Sequence, residues 1–255
     1  MRFYDTHAHF EDEDDVAAIV ARAAAQGVHG ILAVGGSESL NRNALRTALR
    51  VALGWDRDQI GAGDAGLKEL RALASENSAR MAAIGEIGID CYYSPQTLAR
   101  QMELFEAQLD LADALGLPVV VHTRDADDAT LSAIDNSGWS HGDRLRGVIH
   151  SYTGGSALAG KLLDRGFMIS FSGIATFRSG DEVRRTACYV PDDRILVETD
   201  SPFLAPVPLR GRRCEPAYVV HTALRIAEER KTAPELFSEL TFRNAVLLFG
   251  GGEDA

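Results

Sequence analysis

The sequence predicts an α/β protein built as a (β/α)₈ TIM barrel. Eight short apolar runs recur along the chain, stretches with helical spacing of apolar residues separate them, and the 255 residues suit one such barrel. Most runs are continuously apolar rather than alternating, as expected for parallel strands buried on both faces. A doubly wound open sheet would show the same pattern, and the apolar runs alone do not separate the two folds.

The predicted strands are short runs such as Ile-Leu-Ala-Val and Pro-Val-Val-Val. Their bounds are Arg2–Thr6, Gly30–Gly35, Arg50–Gly54, Met81–Glu86, Pro118–His122, Gly147–His150, Phe167–Ser172 and Arg194–Thr199.

The clearest predicted helix is Thr97–Leu115, whose apolar residues recur at a spacing of three to four. Gly116 ends this helix and Pro118 opens the next strand. The acidic run Glu11–Asp15 is expected to form the first turn of the first helix, where the helix dipole favours negative charge. The other predicted helices are Asp12–Gln26, Ser37–Leu49, Ala65–Asn77, Asp125–Ile134, Gly155–Arg165, Gly180–Ala187, Pro216–Glu229 and Pro234–Phe249.

Composition limits the function classes. The 26 Lys and Arg residues against 37 Asp and Glu give a net charge of −11, which argues against a generally basic protein that coats DNA. An enzyme whose positive charge is concentrated in one pocket stays compatible with that number. A hydrophobic content of 45% is typical of a globular chain, and we expect one catalytic domain over residues 1–250 with a flexible tail over 251–255.

Cysteine use and the N-terminus indicate where the protein acts. Three scattered cysteines do not suit a disulfide framework, and the N-terminus lacks the features of a signal peptide. No apolar run approaches the ~20 residues of a membrane span. We therefore expect a cytoplasmic protein with no membrane partner and no obligatory protein partner.

Polar residues that can bind metal ions stand where several predicted strands end. They are His7 and His9 at the first strand, Glu86 at the fourth, His122 at the fifth, His150 at the sixth and Asp200 after the eighth. In a parallel barrel these strand ends converge on one face. Imidazole suits several transition metals, and a carboxylate can bridge two ions. A single histidine at a strand end is more often a hydrogen-bonding or capping residue, but the joint pattern predicts a metal site.

Several longer segments resemble the signature segments of the TatD family of metal-dependent deoxyribonucleases, which are amidohydrolase-like (β/α)₈ barrels. They occur in family order from residue 5 to residue 250, so the resemblance covers nearly the whole chain. The segments are DTHAHF, AIGEIGIDCYYS, LPVVVHTRDA, GVIHSYTGG, ISFSGIATF, ILVETDSPFLAP, RGRRCEP and FRNAVLLFG.

The resemblance implies a two-metal hydrolase that cleaves DNA phosphodiester bonds, with 3′-to-5′ exonuclease action as one possible mode. The cofactors would be two divalent ions, Mg²⁺, Mn²⁺ or Zn²⁺, and the substrate a single DNA strand or a DNA end. The implied ligands of the first ion are His7, His9, Glu86 and Asp200, and those of the second are Glu86, His122 and His150.

The two ions are expected to activate a water molecule that attacks the phosphoryl group. Glu86, as the bridge, and Asp200, as the proton acceptor, are the predicted catalytic residues. Arg124 is a candidate phosphate contact, although an ion pair with Asp125 or Asp127 is an equal alternative. Further candidate substrate contacts, expected in loops on the same face, are Ser201, Arg210 and Arg212.

One segment departs from the family pattern. Family members usually carry Gly-x-His-Pro-His after the third strand, whereas here Gly54–Gln59 holds neither histidine nor proline. The departure leaves a second hypothesis open, in which the same metal centre hydrolyses a small ester, an amide or an aminoacyl-tRNA ester. A third hypothesis is a barrel that serves as a non-catalytic scaffold, against which the intact ligand set argues.

Overall fold

Eight parallel strands form a single sheet in chain order, as predicted for the barrel. The computed structural model describes residues 1–137 and 146–251, and the remaining residues, which include 252–255 of the expected tail, lie outside this description. The sheet order is β1 to β8 without a crossover, and β8 is followed by a bridge that joins Ser201 to Ala8 beside β1. This order confirms the barrel and excludes a doubly wound sheet. The strands are β1 Phe3–Ala8, β2 Val28–Gly36, β3 Arg50–Trp55, β4 Met81–Asp90, β5 Val119–Arg124, β6 Gly147–Ile149, β7 Phe167–Phe171 and β8 Ile195–Val197.

The helices lie between the strands and after β8. Within the described residues they are α1 Val16–Ala25, α2 Glu38–Arg46, α3 Gly63–Glu76, α4 Leu98–Leu115, α5 Asp127–Asn136, α6 Ser156–Asp164, α7 Asp181–Tyr189, α8 Val219–Glu229 and α9 Pro234–Phe249. The first turn of the predicted helix Pro216–Glu229 is a separate 3₁₀ turn, Pro216–Tyr218. None of the helices described is both long and apolar enough to cross a bilayer.

The prediction for the acidic run Glu11–Asp15 was wrong. Helix α1 begins at Val16, and Asp15 is its N-cap, with a side chain that accepts a hydrogen bond of 3.0 Å from the Ala18 amide. Two acids of the run instead contact Arg213 in the loop after β8, Asp14 through a hydrogen bond of 2.8 Å and Glu11 through a short ion pair. Glu11 and Asp14 therefore tie two loops together at one end of the barrel by pairing with Arg213, whereas Asp15 caps α1.

Buried polar contacts close the barrel between β1 and β8. The Asp5 carboxylate, which is fully buried, accepts hydrogen bonds of 2.8 and 2.6 Å from the amide and hydroxyl of Thr199. The Asp200 amide donates to the carbonyl of His7 at 3.0 Å. These bonds replace ladder pairs where β8 has ended, and they bring Asp200 beside His7.

Helix α9 covers the opposite end of the barrel. Its Phe242 ring lies 6.3 Å from the ring of Tyr4, which is buried in the first half of β1. The Tyr4 hydroxyl also donates to the Gly250 carbonyl at 3.4 Å. Burial of these aromatic rings closes the N-terminal end of the barrel, so that the C-terminal ends of the strands form the accessible face.

Candidate metal centre

The structure brings together all six side chains predicted to bind metal ions. His7 lies within β1 and His9 just after it, His122 lies within β5, and His150 directly follows β6. Glu86 does not end its strand as expected. It lies in the middle of β4, because β4 continues to Asp90 by pairing with β5.

Glu86 stands between two pairs of histidines, with one carboxylate oxygen facing each pair. Its Oε2 lies 3.3 and 3.4 Å from the Nε2 atoms of His7 and His9. Its Oε1 lies 3.3 Å from Nδ1 of His122 and 3.4 Å from Nε2 of His150. Each pair of nitrogens with its facing oxygen has the spacing of donors around a shared cation, so one carboxylate could bridge two ions.

Asp200 completes the first of these two groups. Its Oδ1 lies 3.8 Å from the Nε2 atoms of both His7 and His9. The Asp200 backbone has a φ of 59°, a left-handed conformation that aspartate tolerates better than most residues. The turn points the carboxylate back over the end of β1, where it can join the histidines.

Polar groups behind the centre hold three of the four imidazoles in position. Nδ1 of His9 lies 2.9 Å from the Val34 carbonyl, and Nε2 of His122 lies 3.1 Å from Asp90 Oδ2. Nδ1 of His150 lies 3.3 Å from the buried Glu198 carboxylate. If the outer nitrogen donates its proton to these acceptors, the inner nitrogen keeps a lone pair directed at the centre.

The donor set fits divalent cations. Nε2 of His7 lies 3.1 Å from Nε2 of His9, and Nδ1 of His122 lies 3.2 Å from Nε2 of His150. In each pair the two nitrogens converge, although their lone pairs would repel each other if nothing lay between them. In each of three groups, the ligand atoms all lie within 4.8 Å of one another. The groups are His7, His9 and Glu86; Glu86, His122 and His150; and His7, His150 and Asp200.

Without a cation, protons stabilise this crowded arrangement. Burial alone would lower the pKa of His150, but Glu86 and Glu198 raise that pKa well above its ordinary value. Burial opposes ionisation of Glu86, yet the histidines hold its pKa well below the ordinary value. Burial raises the pKa of Asp200 to about 7. At neutral pH the metal-free centre therefore carries a proton on His150 and a partly protonated Asp200.

We expect metal binding to release protons. A divalent ion needs the lone pair of His150 and the ionised form of Asp200, so proton and metal compete for the same atoms. Both pKa values are raised, and the competition at Asp200 strengthens as the pH falls through about 7. The apparent affinity for Mn²⁺ should fall about tenfold per pH unit for each proton displaced. Calorimetric titration at pH 6 and pH 8, in buffers of different ionisation enthalpy, measures both quantities. An affinity that does not change with pH would contradict the prediction.

Five of the six side chains line a cavity of about 670 Å³ at the C-terminal face of the barrel, and the sixth, His7, is fully buried. Two aromatic residues at its rim, Tyr93 and Phe203, are 62% and 57% exposed. The Phe203 ring lies 6.5 Å from the ring of His9, so the rim directly adjoins the metal ligand candidates. The cavity therefore combines a polar floor with exposed apolar rings at its entrance.

The predicted substrate contacts lie in different places. Arg124 lines this cavity, and its guanidinium lies over the Tyr92 ring, 3.9 Å from the centroid, rather than in an ion pair with Asp125 or Asp127. Ser201 is buried beside the barrel closure and lines a separate pocket of about 250 Å³. Arg210 lies 3.7 Å over the Phe177 ring and Arg212 is exposed, and the described cavity wall includes neither.

Four further residues at the site were not singled out from the sequence. Asp90 and Glu198 lie behind His122 and His150, and Asp56 and Arg57 line the cavity. Asp90 has the same parity as Glu86 along β4, so the two-residue period of a strand could have indicated it. Asp56 and Arg57 belong to the segment Gly54–Gln59 that departs from the family pattern, and this segment does reach the site.

Comparison with known proteins shows the family to which the chain belongs. The family model of TatD related DNases matches residues 4–250. The chain is 39% identical to YcfH of Escherichia coli (strain K12), an uncharacterised metal-dependent hydrolase, over 98% of this chain and 96% of that protein. It is 34% identical to the 3′-5′ ssDNA/RNA exonuclease TatD of Salmonella typhimurium, over 94% of this chain and 93% of that protein.

A solved structure shows the same architecture. The crystal structure of YjjV, a TatD homologue from Escherichia coli K12, superposes with a TM-score of 0.88 at 27% identity. The alignment covers 97% of this chain and 98% of that one. The fold and the arrangement of strand ends are therefore shared over the full barrel.

Proposed function

Because the chain belongs to the family of TatD-related DNases and is a metal-dependent hydrolase of that family, we propose that it cleaves single-stranded DNA from the 3′ end. The observation that carries the proposal is one cavity lined by five of the six candidate metal ligands, by arginine and by exposed aromatic rings. Exposed rings bind single strands by base stacking, and arginine binds phosphate. The Salmonella relative, named for the same polarity on single strands, supports this choice.

In the proposed reaction the chain holds two divalent ions, Mg²⁺, Mn²⁺ or Zn²⁺. His7, His9, Glu86 and Asp200 would hold the first, and Glu86, His122 and His150 would hold the second. When bound, divalent ions lower the pKa of water and stabilise the charge that develops on a phosphoryl group.

The chain's own residues position the substrate and move the proton. Asp200 accepts the proton of the attacking water, a role suited to a carboxylate whose Oδ1 lies 3.8 Å from the Nε2 atoms of His7 and His9 at the edge of the centre. Arg124, held over Tyr92, contacts a phosphate of the strand, while Tyr93 and Phe203 stack against its bases. Roles for Ser201, Arg210 and Arg212 as further contacts stay predictions.

The acidic surface limits how DNA could bind. A net charge of −11 disfavours the wrapping of duplex DNA around the protein. The end of a strand, by contrast, has to enter only the cavity, where bound cations would offset the negative charge of the carboxylates. We therefore expect single strands and frayed ends to be better substrates than blunt duplexes.

The proposal is tested by cutting end-labelled DNA with purified protein in Mg²⁺, Mn²⁺ or Zn²⁺. A strand labelled at its 3′ end should release a labelled mononucleotide in the first turnovers, and a strand labelled at its 5′ end should shorten as a ladder. Asp200→Asn should reduce the rate by about 10² to 10⁴, the usual contribution of a general base. Asp164→Asn, the same change at an exposed position at the end of α6, should have no effect.

The same experiment separates the other hypotheses. Asp56 and Arg57 lie in the cavity wall and belong to Gly54–Gln59, the segment that departs from the family pattern. A small ester, an amide and an aminoacyl-tRNA should therefore be tested as substrates beside DNA and RNA. Turnover of one of these without cleavage of nucleic acid would overturn the proposal in favour of the second hypothesis. A metal-loaded protein that hydrolyses none of them would support the scaffold.

A further inference from the structure

Arg57 presents a guanidinium to the metal centre from the end of β3. Trp55, two residues before Arg57, is anchored to α4. The Gln108 side chain accepts a hydrogen bond from the Trp55 amide and donates one to the Trp55 carbonyl, both at 2.8 Å. The Trp55 indole also donates to the Gly66 carbonyl at 2.9 Å. This anchoring makes the start of the following loop a defined part of the cavity wall, where the Arg57 side chain is 22% exposed.

Arg57 makes only long contacts with the carboxylates near it. Its Nη1 lies 3.7 Å from Oε1 of Glu86 and its Nε lies 3.4 Å from Oδ2 of Asp58, both too long for good hydrogen bonds. Among the described residues no group accepts a hydrogen bond from Arg57, and its Nε is buried without a partner.

Arg184, a buried arginine with a structural role, differs from Arg57 in its contacts. The guanidinium of Arg184 donates to the carbonyls of Ala175 and Phe177, both at 2.8 Å. Buried charged groups are normally satisfied in this way, because an unsatisfied donor costs free energy. Arg57 is therefore arranged to bind something that is not part of the folded chain.

The partner that suits these donors is an anion bound at the metal centre. Nη1 of Arg57 approaches Oε1 of Glu86, the oxygen that faces His122 and His150. We propose that Arg57 is a substrate-binding residue that holds a phosphate group of the substrate against the Glu86–His122–His150 side of the cavity. This inference rests on the proposed function. It identifies phosphate as the group recognised by Gly54–Gln59, the segment that departs from the family pattern.

The alternative is that Arg57 only offsets the acids around it, such as Glu86 and Asp58. Such a role predicts close, hydrogen-bonded ion pairs, as Arg165 makes with Asp135 at 2.7 Å. The long contacts of Arg57 do not match it. The loss of a charge-balancing arginine would also change the centre whether or not a phosphate is present, whereas the loss of a substrate-binding arginine should weaken the binding of phosphate-containing probes alone.

The test measures binding to Mn²⁺-loaded protein by calorimetry, with thymidine 5′-monophosphate and the neutral nucleoside thymidine as probes. The wild-type chain should prefer the nucleotide. Arg57→Gln should weaken nucleotide binding about 10- to 100-fold, the usual effect of losing charge-assisted hydrogen bonds, and leave thymidine unchanged. Arg57→Lys should retain part of the preference. Arg71→Gln, the same change at an exposed position on α3, is the matched control and should bind both probes as wild type does.

Two outcomes would overturn the inference. In one, Arg57→Gln binds the nucleotide as tightly as wild type does. In the other, it loses bound Mn²⁺ together with the nucleotide, which would assign Arg57 to the support of the metal centre.

Inorganic phosphate, as a third probe, separates this inference from the proposed function. If phosphate binding depends on Arg57 while no DNA is cleaved, the inference stands and the nuclease proposal fails.

Discussion

Glu86→Gln should abolish metal-dependent hydrolysis, with a loss of at least about 10³-fold. Both carboxylate oxygens of Glu86 face histidine pairs, at 3.3 to 3.4 Å, and an amide offers only one oxygen and no charge. One of the two candidate ions would lose its bridging ligand. Since metal catalysis contributes several kcal/mol to transition-state stabilisation, a factor of about 10³ corresponds to losing roughly 4 kcal/mol of it. Metal content after desalting and the hydrolysis rate are the two measurements.

The control for this variant is Glu103→Gln, the same change at an exposed position on α4. It should keep both the metal and the activity. Without metal, Glu86→Gln should melt below wild type, because the buried His150 loses the carboxylate that stabilises its protonated form. A Glu86→Gln protein that retains all its metal and full activity would show that Glu86 does not bridge, and the proposed ligand set would have to be withdrawn.

Gly88→Ala should destabilise the barrel by about 3–5 kcal/mol and displace His122. Gly88 has a φ of 137°, which L side chains rarely adopt, and an added Cβ would lie 2.0 Å from the His122 carbonyl oxygen across the β4–β5 ladder. The strained backbone and the steric overlap each cost about 1–3 kcal/mol. The loss should lower Tm by roughly 10 °C, given a few degrees per kcal/mol for a chain of this size. Thermal unfolding and metal content measure the two effects.

A second glycine in the same part of the chain provides the comparison. Gly61 lies in the exposed loop before α3, and no atom lies within 4 Å of where its Cβ would stand. Gly61→Ala should change Tm little or raise it slightly, because it restricts only the unfolded chain. Equal melting temperatures for the two variants would mean that β5 can shift away from β4 without cost, contrary to the tight pairing described here.

The regular elements were largely predictable. Helix α9 has the predicted bounds, Pro234–Phe249, and α4 differs by one residue, because periodic apolar residues and a terminal glycine mark them locally. Strand ends were less predictable. β4 runs four residues beyond its predicted end at Glu86, since Gly88, Ile89 and Asp90 pair with β5. Such pairing depends on a neighbouring strand that begins some 30 residues later, which no local pattern records.

For the candidate site, the sequence by itself determined the residue types and the face of the barrel on which they meet. It did so because parallel strands place their carboxyl ends together and because histidines and carboxylates follow several of these ends. Only the tertiary structure decided which oxygen of Glu86 faces which histidine pair, and that Asp90 and Glu198 stand behind the imidazoles. It also decided that Arg57 reaches the cavity and makes only long contacts with the carboxylates there. These facts are distances between residues far apart in the chain, set by strand register and side-chain packing.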